Sequence, residues 1–117
     1  MSKKFNFSKK FRLLNFNQYK RVFKKSYKSE KKGILILGSY NKLDYSRLGI
    51  LISKKIIKKS VIRNKIKRLV REFFRHQKNK FLNMDFVFIL KKKFFFIKKN
   101  FFLNLYSVWI RYKKKFI

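Results

Sequence analysis

The chain has 117 residues, the length of one domain, and 46% of them are hydrophobic. Lysine and arginine total 35 against 4 acidic residues, which gives a formal net charge of +31. An aromatic content of 20% excludes a disordered basic tail, and the absence of cysteine excludes disulfides and cysteine-based zinc sites. Because so much charge repels itself in the folded state, we expect a polyanionic partner, nucleic acid ahead of an anionic membrane surface.

The apolar runs of the chain are short. The longest, such as ILIL at 34–37 and FFFI at 94–97, fall far below the ~18 residues that a membrane span needs. The basic start, MSKKFNFSKKFRLL, has no apolar segment of the kind found in secretory signals. We therefore expect a cytoplasmic protein that does not enter a membrane.

The first third of the chain predicts an arm, a helix and a loop. Residues 1–12 are basic and are predicted to form a flexible arm. Residues 15–26 predict a helix with Asn15 or Asn17 as its N-cap, because apolar side chains recur there at helical spacing. That stripe consists of Phe16, Tyr19, Val22 and Phe23. Residues 27–33 predict a polar loop, with an extra short strand as the alternative.

The remainder alternates apolar strands with basic segments. ILILGSY, 34–40, and RLGILIS, 47–53, predict strands, and the second is apolar on both faces, so we expect it at the centre of a sheet. A basic connection at 54–59, a helix at 60–77, a strand at 85–90 and a last helix at about 96–113 follow. The pattern predicts a small sheet with helices packed on it.

The helix at 60–77 carries an unusual surface. On a helical wheel its core face consists of Ile62, Ile66, Leu69, Val70 and Phe73. The other side holds Arg63, Asn64, Lys65, Lys67, Arg68, Arg71 and Arg75, with Glu72 as its one acid. Several of these cations repeat every four residues, and like charges at that spacing destabilise a helix. Their presence therefore favours a function in binding phosphate, which would compensate the charge. A basic surface without a dedicated site is the alternative, and the pattern leaves DNA and RNA both open.

The chain lacks the residues of an autonomous nuclease. Its four acids, Glu30, Asp44, Glu72 and Asp85, are scattered in sequence, whereas metal-dependent phosphodiester cleavage needs clustered carboxylates. The one histidine, His76, stands at the end of a helix beside an arginine and is expected to be an ordinary helix residue. We therefore predict no catalytic residue and no metal site in the chain.

The segment RNKIKRLVREFFR, 63–75, resembles the signature of the protein subunit of bacterial ribonuclease P. Lys65 stands where the family usually has arginine. The lysine keeps the positive charge but lacks the planar guanidinium group that can donate two parallel hydrogen bonds. Three further segments resemble the family in the right order: LLNFNQYKRVFKKS, RLGILISKKIIKKSVIRN and MDFVFILKK. The resemblance covers about residues 13–93.

The resemblance implies an α+β fold over a single domain, residues 1–117. This fold is a two-layer α/β sandwich of order α-β-β-β-α-β-α, like the second domain of the fifth small-subunit ribosomal protein, with a left-handed β-α-β crossover through the signature helix. It also implies a ribonucleoprotein endonuclease that removes the 5′ leader from precursor tRNA. In that enzyme the RNA subunit is catalytic with Mg²⁺, and a monomeric protein binds this RNA and the leader and raises the affinity for substrate and Mg²⁺.

Carried over residue by residue, the resemblance implies two RNA-binding surfaces. The catalytic RNA would contact Lys54, Lys55, Arg63, Asn64, Lys65, Lys67, Arg68 and Arg71. The leader would contact Tyr19 and Phe23 in a cleft between the first helix and the sheet, unless both are core residues. Arg47 and Lys58 are weaker candidates for phosphate contacts, and Leu37 stands where some relatives have an aromatic on the sheet.

Two other classes of protein remain possible at this point. A structural RNA-binding protein of the ribosomal type would share the size, charge and fold but would not promote leader cleavage. A membrane-surface protein built on basic amphipathic helices is disfavoured by the strands and by the packed central helix.

Overall fold

The computed structural model describes residues 9–31, 33–77, 84–91 and 98–116. After a 3₁₀ turn at Lys9–Phe11, the elements are α1 Phe16–Lys24, β1 Tyr27–Lys31, β2 Ile34–Tyr40, β3 Arg47–Ile52, α2 Ser60–Gln77, β4 Met84–Leu90 and α3 Lys98–Phe116. The predicted order α-β-β-β-α-β-α is confirmed, and the segment at 27–33 contains the extra strand rather than only a loop. Gly33, with φ of 81°, makes the turn between β1 and β2.

The sheet has the strand order β1-β2-β4-β3. Its pairs are antiparallel except for β3 with β4, which run parallel and are joined through α2. The expectation that the strand at 47–53 is central is wrong, because β3 lies at the edge. On one face of β3, Leu48, Ile50 and Ile52 pack into the core beneath the helices. The other face carries Arg47, Gly49 and the partly exposed Leu51, as an edge strand allows. The left-handed sense of the β3-α2-β4 crossover stays a prediction.

One face of the sheet is covered by α2 and α3, and together they form the predicted two-layer sandwich. The strands contribute Ile34, Ile36, Leu48, Met84, Phe86, Phe88 and Leu90 to this core. On α2 the buried side chains are Ile66, Leu69, Val70 and Phe74, whereas Phe73 is only partly buried. The predicted core face therefore omitted Phe74, whose ring meets Phe86 at 5.4 Å and Trp109 of α3 at 6.2 Å between centroids. Each fully buried side chain of this kind contributes about 1.5–3 kcal/mol.

The short helix α1 lies on the opposite face. Its N-cap is Asn15, one of the two predicted caps. The Asn15 side chain accepts a hydrogen bond from the Gln18 backbone at 3.0 Å, and the Gln18 side chain accepts one from the Asn15 backbone. Of the predicted apolar stripe, only Val22 is buried, where it packs with Leu13, Leu37 and Val87. Phe16 is 76% exposed, so the stripe is narrower than predicted.

Residues 9–12 lie against the sheet, whereas the sequence predicted them to belong to a flexible arm. Arg12 pairs with Leu48 beside β3, and the Leu13 backbone donates to the Leu48 carbonyl at 3.0 Å. The ring of Phe11 meets that of Tyr45 edge-on at 5.7 Å. The rest of the predicted arm, residues 1–8, lies outside the described residues. Across the described segments, none of the helices is long and apolar enough to cross a membrane.

Candidate nucleic-acid interface

The basic connection between β3 and α2 forms a defined turn. The backbone amides of Ile56 and Ile57 donate to the Ser53 carbonyl at 3.1 and 3.0 Å, and Ile57 is buried. Arg63 reaches back from α2, and its Nη1 donates to the carbonyls of Ile57 at 2.8 Å and Lys58 at 2.9 Å. Arg63 therefore fixes the turn against the helix, a role that the sequence did not predict.

The other predicted contacts to the catalytic RNA surround this turn. Lys54, Lys55, Asn64, Lys65 and Arg68 are exposed, and Lys67 and Arg71 are half-buried. On a helical wheel, the α2 members Asn64, Lys67, Arg68 and Arg71 fall within an arc of about 100°. The nearest acid on the helix, Glu72, lies 4.0 Å from Arg75. Within the described residues, neither the four lysines of this surface nor Arg68 has an acidic partner, so the surface retains a strong positive field that suits phosphate.

Arg71 and Arg12 form a second pair of cations, near the edge of β3 along which residues 12 and 13 run. Burial lowers the pKa of Arg71, and the charge of Arg12 lowers this pKa further. Arg12 Nε is buried and makes no hydrogen bond in the part of the chain that the structure describes. Arg12 was assigned to the flexible arm from the sequence, so its approach to Arg71 was missed. Two guanidinium groups that act on each other electrostatically, with no acidic partner among the described residues, favour an anion beside them.

The two predicted cleft aromatics differ in their surroundings. Tyr19 is half-buried, and its ring lies so close to Gly49 that an added Cβ there would come within 2.4 Å of the ring. Burial raises the pKa of Tyr19, whereas a hydrogen bond with the Ile50 backbone and the charge of Arg71 act in the opposite direction. Phe23, one turn further along α1, is 48% exposed. Phe23 is thus available for stacking, whereas Tyr19 is mainly a packing residue between α1 and β3.

A partly exposed apolar row lies on the sheet beside α1. Leu35, Ile89 and Leu51 are direct neighbours across β2, β4 and β3. Leu35 and Ile89 are half-buried and Leu51 is 38% exposed. We call these three residues the apolar row. The register places Leu51 on the face of β3 that lines the cleft. Leu37 is buried beneath α1, so no stacking platform exists at that position.

A polar row lies on the same face of the sheet, on the other side of α1. It consists of Ser39, Asp85 and Arg47, which are direct neighbours across β2, β4 and β3. Arg47 donates from Nε to Asp85 Oδ1 at 2.9 Å and from Nη2 to Oδ2 at 2.7 Å, which raises the pKa of Arg47. Asp85 is 2% exposed and also accepts from Asn41 at 2.7 Å. Arg47, predicted as a possible phosphate contact, is thus first a partner of a buried carboxylate.

The remaining titratable residues form no catalytic constellation in the described segments. Those segments contain no group of three or more His, Asp or Glu side chains that could hold a metal ion. His76 is exposed near the end of α2, with Nε2 3.4 Å from Arg75 Nη2. Glu30 pairs with Lys91 at 3.2 Å. The charge, geometry and exposed groups therefore describe a binding protein for a polyanion.

Comparison with known proteins identifies the polyanion. A family model described as Ribonuclease P matches residues 7–112. The ribonuclease P protein component of Haemophilus influenzae is 43% identical over 88 residues, which cover 75% of this chain and 74% of that protein. The corresponding protein of Buchnera aphidicola is 46% identical over 86 residues, or 74% of this chain and 75% of that protein.

Solved structures agree with these sequence matches. The structure of a Staphylococcus aureus RNase P protein mutant with defective mRNA degradation activity superposes with a TM-score of 0.80 at 30% identity, over 90% of each chain. These similarities favour a ribonuclease P protein over a structural RNA-binding protein of the ribosomal type. The chain therefore belongs to the ribonuclease P protein family, as an RNA-binding protein component that associates with ribonuclease P RNA in a tRNA-processing ribonucleoprotein.

Proposed function

We propose that this chain divides its RNA contacts between two surfaces. The turn at 53–59 and the basic face of α2 bind the ribonuclease P RNA, and the cleft between α1 and the apolar row binds the single-stranded 5′ leader of precursor tRNA. The observation that carries the proposal is a set of cations in this turn and on α2 that have no acidic partner within the described residues: Lys54, Lys55, Lys65, Lys67 and Arg68. Phosphate supplies the compensating charge, and its binding releases counterions.

Arg63 and Arg71 give the RNA surface its shape. Arg63 holds the turn through the Ile57 and Lys58 carbonyls, so the lysines at 54 and 55 are presented at a fixed place relative to Arg68. Arg71 sits beside Arg12 at the edge of β3, so cations continue from α2 towards α1. Lys65, which replaces the family's usual arginine, is exposed and contributes a point charge instead of a fork.

In the cleft, Phe23 is the stacking residue and Tyr19 the positioning residue. An exposed aromatic accepts any base on its face, and such stacking contributes about 1–3 kcal/mol per base. Phe23 offers this stacking contact, and Leu51 offers an aliphatic contact. Both are partly exposed and have no hydrogen-bonding group in the side chain, which suits leaders of differing sequence. Tyr19, held against Gly49 and the Ile50 backbone, fixes the distance between α1 and the sheet.

The protein supplies binding, and the RNA subunit supplies the chemistry with Mg²⁺. Three of the chain's four acids have partners: Asp85 is bound by Arg47 and Asn41, and Glu30 and Glu72 have basic neighbours. Asp44 is a single exposed carboxylate. Neutralising phosphates near the leader lets the RNA hold substrate and Mg²⁺ more tightly. We further propose that the protein acts as a monomer and as one domain, residues 1–117, in the cytoplasm.

Leader cleavage tests this function. The purified protein, ribonuclease P RNA and precursor tRNA are combined at low Mg²⁺, where the RNA alone is slow. We expect a large rise in the cleavage rate that an equally basic, unrelated protein does not produce. Tight RNA binding without any rise in cleavage, also with the cognate RNA, would overturn the proposal.

A further inference from the structure

The middle of α3 carries no charge. Residues 100–110, NFFLNLYSVWI, form the longest stretch of the chain without aspartate, glutamate, lysine or arginine, although these four residue types make up 33% of the sequence. The inner face of the helix accounts for part of this, because its side chains are buried in the core: Phe101, Leu105, Val108, Trp109 and Tyr112. The core does not account for the outer face, where a surface helix ordinarily carries charged and polar residues.

This outer face carries exposed apolar side chains. Leu103 is 60% exposed, Tyr106 is 52% exposed and Ile110 is half-buried. Their spacing of i, i+3 and i+7 places them within an arc of about 60° on the helical wheel. The Tyr106 ring also meets the partly buried ring of Phe73 on α2 edge-on, with centroids 6.5 Å apart. We call Leu103, Tyr106 and Ile110 the α3 stripe, and Phe73 extends its apolar surface towards α2.

The α3 stripe lies apart from both RNA surfaces. Phe73, which meets Tyr106, lies about 160° from Arg71 on the wheel of α2, so the stripe and the basic face of α2 are on opposite flanks of that helix. The leader cleft lies on the other face of the sheet, beside α1. The stripe itself has no cation for phosphate, and two of its three side chains have no ring that could stack with a base. Its chemistry therefore suits a protein rather than RNA.

Cations border the stripe on the flank that faces β1. Lys31 of β1 donates from Nζ to the Ser107 hydroxyl at 2.9 Å, next to Tyr106. Arg111 and Lys114, four and seven residues after Ser107, extend this border and are exposed. None of these three cations has an acidic partner in the segments that the structure describes. The surface therefore combines an apolar centre with one positive edge.

We propose that the α3 stripe binds an amphipathic α-helix of another protein. The apolar face of that helix covers the stripe, and acidic side chains along one of its edges pair with Lys31, Arg111 and Lys114. The three apolar anchors span about 10 Å along α3, which two turns of a partner helix match. A contact of this size lies at the low end of protein interfaces, so the partner binds reversibly. The inference goes beyond RNA binding and does not rest on the assignment of the two RNA surfaces.

Other occupants fit this surface less well. A second copy of the chain also carries a net charge of +31, and a two-fold contact would place the positive edges of both stripes in one interface. Helices that lie on membranes are rich in lysine and arginine along their polar face, whereas α3 is uncharged over residues 100–110. An acidic amphipathic helix complements both the apolar stripe and its positive edge.

A synthetic peptide tests this chemistry. The probe is a fluorescent helix of about 18 residues, or five turns, with leucines on one face and glutamates along one edge. One control peptide has the same residues in scrambled order, and the other has glutamines in place of the glutamates. Anisotropy is measured with the assembled ribonucleoprotein, in which RNA covers the other basic surfaces. We expect the probe to bind about tenfold more tightly than either control peptide. Equal affinities for the probe and the scrambled peptide would overturn the proposal.

A matched pair of leucine variants locates the apolar contact. Leu103→Gln removes an exposed leucine from the stripe, and Leu14→Gln removes one of nearly equal exposure, 58%, ahead of α1. We expect Leu103→Gln to weaken probe binding about tenfold and Leu14→Gln to leave it unchanged. Leu103→Gln should still promote leader cleavage at the wild-type rate. Equal affinities for the two variants, or slower cleavage by Leu103→Gln, would contradict the assignment of the stripe to a protein partner.

A pair of charge variants tests the positive edge. Arg111→Gln/Lys114→Gln removes one arginine and one lysine from it, and Arg21→Gln/Lys42→Gln removes the same two exposed residue types elsewhere. At matched salt we expect the first variant to weaken probe binding about tenfold and the second to change it much less. Equal losses in both variants would show that the probe responds only to the net charge of the protein.

Cross-linking in cells that express the protein identifies the natural occupant. A photo-reactive amino acid replaces Leu103, or Leu14 in the control. We expect capture from position 103 of a protein segment with apolar residues at i, i+3 and i+7 and acidic residues beside them, and weaker capture in Arg111→Gln/Lys114→Gln. Capture of RNA, phospholipid, a second copy of this chain or a segment without that pattern would overturn the proposal, as would cross-links no stronger than those from position 14. Failure of the wild-type protein to promote leader cleavage would reject the proposed function and leave this inference standing.

Discussion

Helix α1 divides one face of the sheet into two regions of opposite character. On one side, Leu35, Ile89 and Leu51 form a row without a polar side chain. On the other, Ser39, Asp85 and Arg47 form a row built around a buried ion pair. The two rows are four residues apart along each strand, about 13 Å, which leaves room for a helix about 10 Å wide. One sheet face can therefore offer an apolar cleft and a polar row on either side of one short helix.

The middle row shows how the division is maintained. Leu37, Val87 and Gly49 lie beneath α1, and Gly49 admits the ring of Tyr19 to the backbone of β3. The apolar side contains no buried charge that requires a partner, and its side chains are partly exposed. The polar side needs a structural ion pair, because Asp85 would otherwise be a buried charge without a partner. Stability should thus depend on the polar side and leader binding on the apolar side.

The largest effect is expected from Arg47→Ala. It leaves the Asp85 carboxylate buried with Asn41 as its remaining side-chain donor among the described residues, and we expect a loss of about 3 kcal/mol in the free energy of unfolding. Chemical denaturation measures the loss. The double variant Arg47→Ala/Asp85→Ala should be less destabilised than the single one, since it leaves no unpaired charge. A single variant that unfolds at the wild-type denaturant concentration would show that the pair does not support this side.

Gly49→Ala should have an intermediate effect. The new Cβ would come within 2.4 Å of the Tyr19 ring, so α1 or the ring must move, at a cost of about 2 kcal/mol. Denaturation of Gly49→Ala, Tyr19→Leu and the double variant gives the coupling between the two positions. We expect the double variant to be more stable than the sum of the single losses predicts. Additive losses would mean that the ring does not rest on Gly49.

Tyr19→Phe should have the smallest effect on stability. It keeps the ring on Gly49 and removes only the hydroxyl that hydrogen-bonds with the Ile50 backbone, so we expect a loss of about 1 kcal/mol. Thermal unfolding at neutral pH measures it, with Tyr106→Phe on α3 as the control for loss of an exposed hydroxyl. Equal melting temperatures for both variants would indicate that the hydroxyl does not contribute to fixing α1.

Local patterns predicted most of the elements and the basic surface. Contiguous sequence predicted Asn15 as one of two candidate N-caps, the apolar spacing on α2 and the run of cations from 54 to 71. Phe74 was missed because a wheel for one helix cannot include the aromatic cluster that α3 brings, with Trp109 at its centre. β3 was assigned to the centre of the sheet because its continuous apolar run resembles that of a central strand, and the run alone does not show that Leu51 stays partly exposed.

The rows beside α1 could not be predicted, because each combines one residue from each of three strands. Their composition depends on the register, and a shift by one residue would turn the opposite set of side chains towards α1. The same holds for Arg12 and Arg71, which are distant in sequence and meet only because the segment before α1 pairs with β3. Arg47 was considered for phosphate contact, since its partner Asp85 is visible only once β3 and β4 are known to be neighbours.

The measurement that tests this account most directly is the affinity of the holoenzyme for precursor tRNA relative to mature tRNA. It should be made with the wild-type protein, Phe23→Leu and Arg68→Ala. We predict that Phe23→Leu lowers the ratio about fivefold, a loss of about 1 kcal/mol of base stacking, without weakening assembly with the RNA. Arg68→Ala should weaken assembly at matched salt but leave the ratio of the assembled holoenzyme unchanged. An unchanged ratio for Phe23→Leu, or an altered ratio for Arg68→Ala, would contradict the assignment of leader and catalytic RNA to separate surfaces.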